Sequence, residues 1–413
     1  KKAFEHILVR HEQSAAHAAE GYSRASGDVG VCIVTSGPGA TNTLTGIADA
    51  MMDSTPIVVI AGQVGVDVLG TDSFQEVDLV GVSQPISKWS YQIRRAEDVA
   101  WAVSRAFYIA RSGRPGPVVL DFPKNAQVSL TEYEPCRVDF VRGYVPYPTV
   151  DAEAVSRAAE LINNAKKPLA LVGHGVELGN AQQELVDFIE KAGIPAARTM
   201  LGLSALPTGH PLNMGMLGMH GNYAPNMKEQ ECDVLIAIGN VKTDVAVVAD
   251  CKESLPAITK LLRPNSHKEW CESFRPLYEE EYEKVIRPAT CPSSGPLLMG
   301  EVVKAVADAT GGDAVLVNDV GQNQMFSCRY FRYNKKRSVV SSGGLGTMGY
   351  GLPAAIGAAY AVPDRQICMF TGDGSFQMSI HELGTIMEHR IPVKVILMNN
   401  NYLGNVRQWQ DLF

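Results

Sequence analysis

No strong excess of charge runs through these 413 residues: 37 Lys and Arg stand against 44 Asp and Glu, a formal net charge of -7. A protein that coats nucleic acid needs clustered cations to neutralise phosphates, so that class is set aside. Paired cysteines are also missing. The eight cysteines, at 32, 136, 232, 251, 271, 291, 328 and 368, include no CxxC pair for a zinc site or a thioredoxin-like motif, and read as thiols of a reducing compartment. The longest run of small apolar residues, Met348 to Val362, is broken by glycines and Pro353 well short of the ~20 residues of a membrane span, so no membrane association is expected. Lys1-Lys2-Ala3-Phe4 supplies neither an initiator Met nor a signal or transit pattern. The chain is therefore expected to begin inside a domain and to stop short at Leu412-Phe413, with parts of the natural protein beyond both ends.

What is present is a rhythm. Hydrophobic residues make up 46% of the chain, and at ~100–200 residues per domain two or three domains are expected. Short β-branched runs alternate with segments of helical period, the pattern of parallel βαβ units. Strands are expected at His6–Arg10, Val29–Thr35, Pro56–Ala61 and Val118–Phe122, with helices over Gln13–Ser26 and Ala40–Met52. Tyr133–Thr149, aperiodic and rich in Pro, Tyr and charge, reads as a linker. The second block has helices at Ala152–Asn164 and Gln182–Ala192 and strands at Leu169–Gly173 and Cys232–Gly239. Pro264–Pro296 reads as a second linker with a short helix over Leu277–Lys284, and strands at Ala314–Asn318, Ile367–Thr371 and Val393–Asn399 follow. The fold class is α/β, with three doubly wound parallel-sheet domains over 1–132, 150–262 and 297–413. One junction breaks the pattern. The strand ending at Gly239 runs through Asn240 to Asp244 into a second strand-like run, Val245–Val248, without the dozen or more residues of a parallel crossover. Either these strands are not parallel neighbours or residues are absent there.

The chemistry concentrates at Gly372-Asp373-Gly374-Ser375, between a strand and a helix expected over Phe376–His389 with Phe376, Ile380, Leu383, Ile386 and Met387 on one apolar face. Such a turn offers free N–H groups and the positive end of a helix dipole, which suits a diphosphate. The next strand ends in Asn399-Asn400-Asn401, at the sheet edge where open α/β folds bind ligands. One carboxylate, one amide oxygen, a backbone carbonyl and diphosphate oxygens make the oxygen shell that Mg²⁺ prefers. Gly-containing turns and Asn clusters are each common; strand, GDG, helix, strand and NN in this order favour a cofactor site. In a second stretch, Val9-Arg10-His11-Glu12-Gln13, a strand is expected to end at the carboxylate Glu12, which by itself is a solvated residue or a helix cap.

The GDG to NN spacing resembles the signature of thiamine diphosphate (ThDP) enzymes. The longer motifs RHEQSAAHAAEGYSRASG, TSGPGATNTLTGIADAMMDSTPIVVIAGQV, GTDSFQEVD, LGMHG, SSGGLGTMGYGLPAAIGAAYA and GDGSFQMSIHEL resemble the catalytic subunit of the acetohydroxyacid synthase (acetolactate synthase) family, over nearly the whole chain. The resemblance implies a pyrimidine-binding domain, a middle FAD-binding domain and a diphosphate-binding domain. It implies that Asp373, Asn400 and the Tyr402 carbonyl hold Mg²⁺, that Gly346, Gly372, Gly374, Ser375 and Gln322 lie at the diphosphate, and that Met348 keeps the cofactor bent. Glu12 is expected against the pyrimidine N1′, its pKa raised by burial beside the cofactor, with Gln75 and Phe74 at the reaction centre. Lys124 is expected at the substrate channel and Trp409 around the second 2-keto acid; Arg114, Gly173, Thr199, Met200, Leu201, Gly202, Leu217, Gly218 and His220 are expected to contact FAD. Ordinary core packing also accounts for Met348 and Trp409, a surface lysine for Lys124, and a satisfied polar residue for His220. Asn405 stands where most members carry Met, which makes the channel near Trp409 more polar and leaves inhibitor response and substrate preference open. The family also carries an Arg-Phe-Asp-Asp segment after the strand that here ends at Gly239.

The implied activity is decarboxylation of pyruvate and transfer of the hydroxyethyl group to a second pyruvate or 2-oxobutanoate, the entry to branched-chain amino-acid synthesis, with FAD in no net redox role. A homodimer or tetramer, a separate regulatory subunit, and a cytoplasmic location, or a plastid one in a plant, go with it. The alternatives are a pyruvate oxidase, a FAD-independent catabolic acetolactate synthase, and a non-catalytic nucleotide-binding relative.

Overall fold

The computed structural model describes residues 5–239 and 243–412. The first sheet comprises β1 (Gly30–Val34), β2 (Ile57–Gln63), β3 (Trp89–Gln92) and β4 (Val118–Pro123) in the order β1-β2-β4-β3. The second has β5 (Pro168–Val172), β6 (Ala196–Arg198), β7 (Asn213–Met216) and β8 (Val234–Ile238) in the order β7-β6-β5-β8. The third has β9 (Val315–Asn318), β10 (Val339–Ser341), β11 (Ile367–Gly372) and β12 (Val393–Met398) in the order β10-β9-β11-β12. Neighbours in the first two sheets, and β9, β11 and β12 in the third, pair parallel, the doubly wound α/β arrangement. The chain divides into two compact units: residues 1–146, 315–321 and 340–413, and residues 147–314 and 322–339. The first unit carries the first sheet and, Val339 apart, the third.

In the first unit Ile57, Val58 and Val59 are wholly buried, as expected of a central parallel strand covered on both faces. Helix α1 (Glu12–Ser26) starts where the His11 side chain accepts the Gln13 N–H at 3.1 Å and ends at Gly27 in the left-handed region. Its Ala16 and Ala19 pack on Cys32, Val34 and Val59. Another flank crosses the helix Gly351–Ala361 so closely that a Cβ on Gly21 would lie 2.0 Å from the Ala354 carbonyl oxygen, and one on Gly357 1.8 Å from that of Ala18. Only glycine permits this contact, and it fixes the helix that begins at Glu12 against the third sheet's own helix. In the second unit the helices Ala152–Asn164 and Gln182–Ala192 bury Val155, Leu185, Phe188 and Ile189 against Ala170 and Val172 of β5.

Several expectations need correction. His6–Arg10 is not a strand: the N–H groups of Arg10 and His11 donate to the Glu382 carboxylate at 2.9 and 3.1 Å, so a side chain replaces the ladder. Ala40–Met52 is two helices, α2 (Pro38–Asn42) and α3 (Leu44–Met52), parted at Thr43, whose hydroxyl turns back to the Ala40 carbonyl at 2.6 Å. Val245–Val248 forms no strand; the junction residues 240–242 lie outside the described residues. The second linker is largely helical, with Lys268–Glu272, Arg275–Glu281 and Arg287–Thr290, because Trp270 and Phe274 bury into an apolar cluster with Leu169 and Ala197. The helix over Phe376–His389 is broken into Asp373–Ser379 and Leu383–His389, and only part of its expected apolar face is inner: Phe376 and Ile386 pack on the core, while Ile380, Leu383 and Met387 are exposed and Ser375, Ser379, Glu382 and Thr385 are buried. β3, β6, β7 and β10, each three or four residues long, carry too little pattern to be anticipated. Among the described residues no helix is long and apolar enough to cross a membrane.

Candidate active site

Glu12 opens α1, and its Oε2 accepts a hydrogen bond from the Asn42 amide at 3.0 Å. The turn before α2 lies against it. A Cβ on Gly39 would stand 3.3 Å from Glu12 Oε1, and Gly37 holds φ +60° and ψ -120°, a conformation nearly confined to glycine. A Cβ on Gly37 would come within 2.8 Å of the Gln75 Cα. The bare backbone of this turn thus brings Gln75 to the turn that flanks the Glu12 carboxylate. Gln75 sits at φ +62°, and its neighbour Phe74 projects outward at 88% exposure. The segment is anchored by Gln63, whose amide donates to the Val77 carbonyl at 2.7 Å. Gln63 pairs with Pro123, so the exposed Lys124 follows at the same sheet edge. In the chain alone, the Asn42 hydrogen bond holds the Glu12 carboxyl below its usual range, against a weaker upward push from burial.

At the third sheet, β11 delivers Gly372 and Asp373 to the start of the helix Asp373–Ser379, and Gly372 pairs with Met398 at the end of β12. Asp373 and Asn400 therefore leave the carboxyl ends of neighbouring parallel strands. The Asn400 Oδ1 accepts the Tyr402 N–H at 3.0 Å, and Asn401 takes φ +59°, which turns the chain sharply after the strand. Gly374 gives the space: a Cβ there would lie 3.0 Å from Leu403 Cδ2 and 3.7 Å from Met348 Cε. Gly346, at φ +71°, precedes Met348 on the same loop. Ser375 is buried, its hydroxyl on the Val320 carbonyl at 3.2 Å. Trp409 is 55% exposed on the helix Gly404–Leu412. Gln322 begins the helix Gln322–Tyr330 in the second unit.

The sequence reading missed three residues. Asn42 ends a helix 30 positions from Glu12, and no local pattern announces it. Glu382 holds the start of α1. Asp319, wholly buried past the end of β9, accepts the N–H groups of Val320 at 2.8 Å, Gly349 at 2.9 Å and Gly351 at 3.1 Å. Burial raises its pKa and these bonds oppose the rise. An acid at a strand end near glycine was the signal available for Asp319, the same one that marks Asp373.

In the second unit the remaining candidates gather at the carboxyl ends of its strands. Gly173 follows β5, Thr199 follows β6 and caps the turn holding Met200, Leu201 and Gly202, and Leu217, Gly218 and His220 follow β7. Gly173 and Gly175 abut Gly239 after β8, where added Cβ atoms would fall 3.0 and 2.8 Å from its backbone. Asn226 holds Gly218 through both backbone groups, at 3.0 and 2.9 Å. Burial, then the Arg329 charge, lowers the His220 pKa. Arg114, in the first unit, is exposed and donates to the Ser54 hydroxyl and the Met51 and Met52 carbonyls at 2.8 to 3.3 Å.

Three family models match in succession: the thiamine pyrophosphate enzyme N-terminal TPP binding domain over residues 1–82, the central domain over 155–259, and the C-terminal TPP binding domain over 319–413. Sheets and matches together define the class, that of the thiamine pyrophosphate enzymes. Among curated relatives, the acetolactate synthase large subunit of Lactococcus lactis is 40% identical over 452 aligned positions, covering 100% of this chain and 76% of the relative. The isozyme 3 large subunit of Escherichia coli is 39% identical, covering 99% and 77%, and the probable acetolactate synthase large subunit of Methanococcus aeolicus is 40% identical, covering 99% and 76%. The chain belongs to the family of acetolactate synthase large subunits. The 452-position alignment is longer than the 413-residue chain, so the Lactococcus relative carries stretches this one lacks.

Proposed function

We propose that the chain is the catalytic subunit of an acetolactate synthase, a transferase that decarboxylates pyruvate and joins the hydroxyethyl group to a second pyruvate or to 2-oxobutanoate in branched-chain amino-acid biosynthesis. The observation that carries this reading is identity near 40% along the whole chain to relatives of that name. Bound ThDP supplies the electron sink for the decarboxylation. Glu12 holds a proton at the pyrimidine N1′, and the glycines at 37 and 39 let the turn pack closely on Gln75, Thr35 and the Glu12 carboxylate. Asp373, Asn400 and the Tyr402 carbonyl hold Mg²⁺, an oxygen donor set suited to that ion. Gly346, Gly372, Gly374, Ser375 and Gln322 receive the diphosphate, and Met348 wedges beneath the cofactor. Phe74, Gln75 and Lys124 line the substrate approach, and Trp409 bounds the acceptor pocket. Arg114, Gly173, Thr199, Leu201, Leu217, Gly218 and His220 hold FAD, with domains at 1–132, 150–262 and 297–413. Homodimers or tetramers, a regulatory subunit and a cytoplasmic setting complete the reading.

The test is a colour assay for acetolactate on protein supplied with ThDP, Mg²⁺ and pyruvate, run with an oxygen electrode and an absorption spectrum. Acetolactate formation, a flavin band and no oxygen uptake are expected. Pyruvate consumption with oxygen uptake and no acetolactate would overturn the reading in favour of an oxidase.

A further inference from the structure

The loop from Ser342 to Thr347 leads into Met348 and carries Gly346, yet it has few side chains with which to pack. Carboxylates hold it instead. Asp53, just past α3, accepts the Gly343 N–H on Oδ2 and the Gly344 N–H on Oδ1, both at 2.7 Å, and its Oδ2 also receives the Arg24 guanidinium of α1 at 2.6 Å. Asp49, one turn earlier on α3, accepts the Ser342 hydroxyl at 2.7 Å, and that same hydroxyl oxygen receives the Thr347 N–H at 2.8 Å. Asp49, Asp53 and Arg24 are 0%, 3% and 6% exposed. A Cβ on Gly344 would lie 2.2 Å from Met52 Cγ, so the loop backbone lies directly on α3. A buried carboxylate that accepts two adjacent N–H groups fixes the direction of that peptide segment, since losing one bond strands a desolvated charge.

We infer that Asp53, assisted by Asp49 through Ser342, is a positioning residue for the cofactor: it sets where Gly346 and Met348 stand. The inference rests on the ThDP reading of that loop and adds residues that touch no cofactor atom. The Arg24 that holds Asp53 lies on the helix that begins at Glu12, so the loop is tied to that helix through an ion pair.

The experiment is titration of the full chain with ThDP in Mg²⁺, by calorimetry, for the parent and for Ser342→Ala, Asp53→Asn and Asp373→Ala. Near-UV circular dichroism of the bound cofactor, amide exchange at Gly343, Gly344 and Thr347, and the apoprotein melting point are read alongside. Ser342→Ala leaves the Arg24–Asp53 pair intact, so it decides the matter if Asp53→Asn fails to fold. Both are expected to weaken ThDP binding by about 10- to 100-fold, the range seen when a partner behind a ligand is lost. Faster exchange at the loop amides and an altered dichroism at saturation should accompany this, with the Ser342→Ala melting point near that of the parent. If both variants bind like the parent while Asp373→Ala does not, the positioning role is wrong and the cofactor reading stands. If the parent itself binds no ThDP, both fall together.

Discussion

Replacing Glu12 by Gln separates chemistry from binding. The carboxylate makes one side-chain contact that Gln can copy, since an amide oxygen can accept from Asn42 Nδ2, now 3.0 Å away. What that bond loses is its charge assistance, a change of about 1 kcal/mol between an ionic and a neutral acceptor. Proton transfer is different: Gln cannot exchange a proton with N1′, and a general acid–base contribution is ~10²–10⁴-fold, or about 3–5 kcal/mol. The two effects differ enough to be read apart. ThDP affinity should change less than about tenfold, while hydrogen–deuterium exchange at the thiazolium C2, followed by NMR after acid quench, should slow by orders of magnitude. Exchange as fast as in the parent would show that Glu12 is not the activating carboxylate. Because Asn42 is the main reason the Glu12 carboxyl lies below its usual range, Asn42→Ala should also move the acid limb of the exchange rate to higher pH.

Asp373→Ala and Asn400→Ala should lose activity through weakened Mg²⁺ and diphosphate binding, and saturating ThDP and Mg²⁺ should restore part of it by mass action; a variant that binds cofactor normally yet is inactive would count against the role. If the site is shared across a dimer, mixing Glu12→Ala with Asp373→Ala protein should restore activity once subunits exchange, and no recovery despite proven exchange would refute sharing. Trp409→Leu should shift products toward acetolactate, by the ~1–3 kcal/mol that one methylene is worth in such a pocket, measured in pyruvate and 2-oxobutanoate competition; an unchanged ratio would leave Trp409 without a part in acceptor choice. Burial raises the Glu20 carboxyl well above its usual range and pushes Asp49 up to about 7, so the folded protein holds these protons to higher pH than the unfolded chain does. Stability from these groups is complete below the ordinary carboxylate range and is lost as pH rises through 7, opposed below pH 6.5 by His17, which is pushed down to about 4. Glu20→Gln should therefore flatten the fall in urea midpoint as pH rises above the ordinary carboxylate range, and an unaltered slope would refute a raised Glu20 pKa.

The parallel α/β class was legible because buried strands such as Ile57–Gln63 and Ile367–Gly372 are apolar runs bounded by turn residues, a signal that needs no tertiary information. The grouping of Asp373 with Asn400 was legible for a related reason: the sheet rule places consecutive strand ends on one edge. What failed was periodicity where polar groups are buried for a purpose. In the Phe376–His389 region the helical pattern pointed to Ile380, Leu383 and Met387 as the inner face. Phe376 and Ile386 do pack inward, but the most buried residues are Ser375, Ser379, Glu382 and Thr385; the Val320 carbonyl, the N–H groups of Arg10 and His11, and the Leu8 carbonyl reward Ser375, Glu382 and Thr385 with hydrogen bonds. A hydropathy pattern cannot register partners 55 to 377 residues away. The same blindness hid Asn42, which lies on a helix whose existence depends on the Pro38 start and the Thr43 break.

A common device links the parts of the site that sequence did not reveal. Glu382 receives two N–H groups ahead of Glu12, Asp53 receives two ahead of Gly346, and Asp319 receives those of Gly349 and Gly351 just beyond Met348. All three acids are almost wholly buried. Segments that must approach a cofactor closely are built from glycine, and glycine contributes no side chain to pack while losing the most backbone entropy on ordering. Apolar packing could fix such loops only by filling the space the cofactor needs. A carboxylate behind the loop fixes it from the far side through the backbone and leaves the near side open. Leaving a buried donor or acceptor of such a bond unsatisfied costs about 1–3 kcal/mol, and more for a charged group, so the loop has few other positions to occupy. Stiffness at Glu12 and at Met348 thus comes from acids that never touch the chemistry.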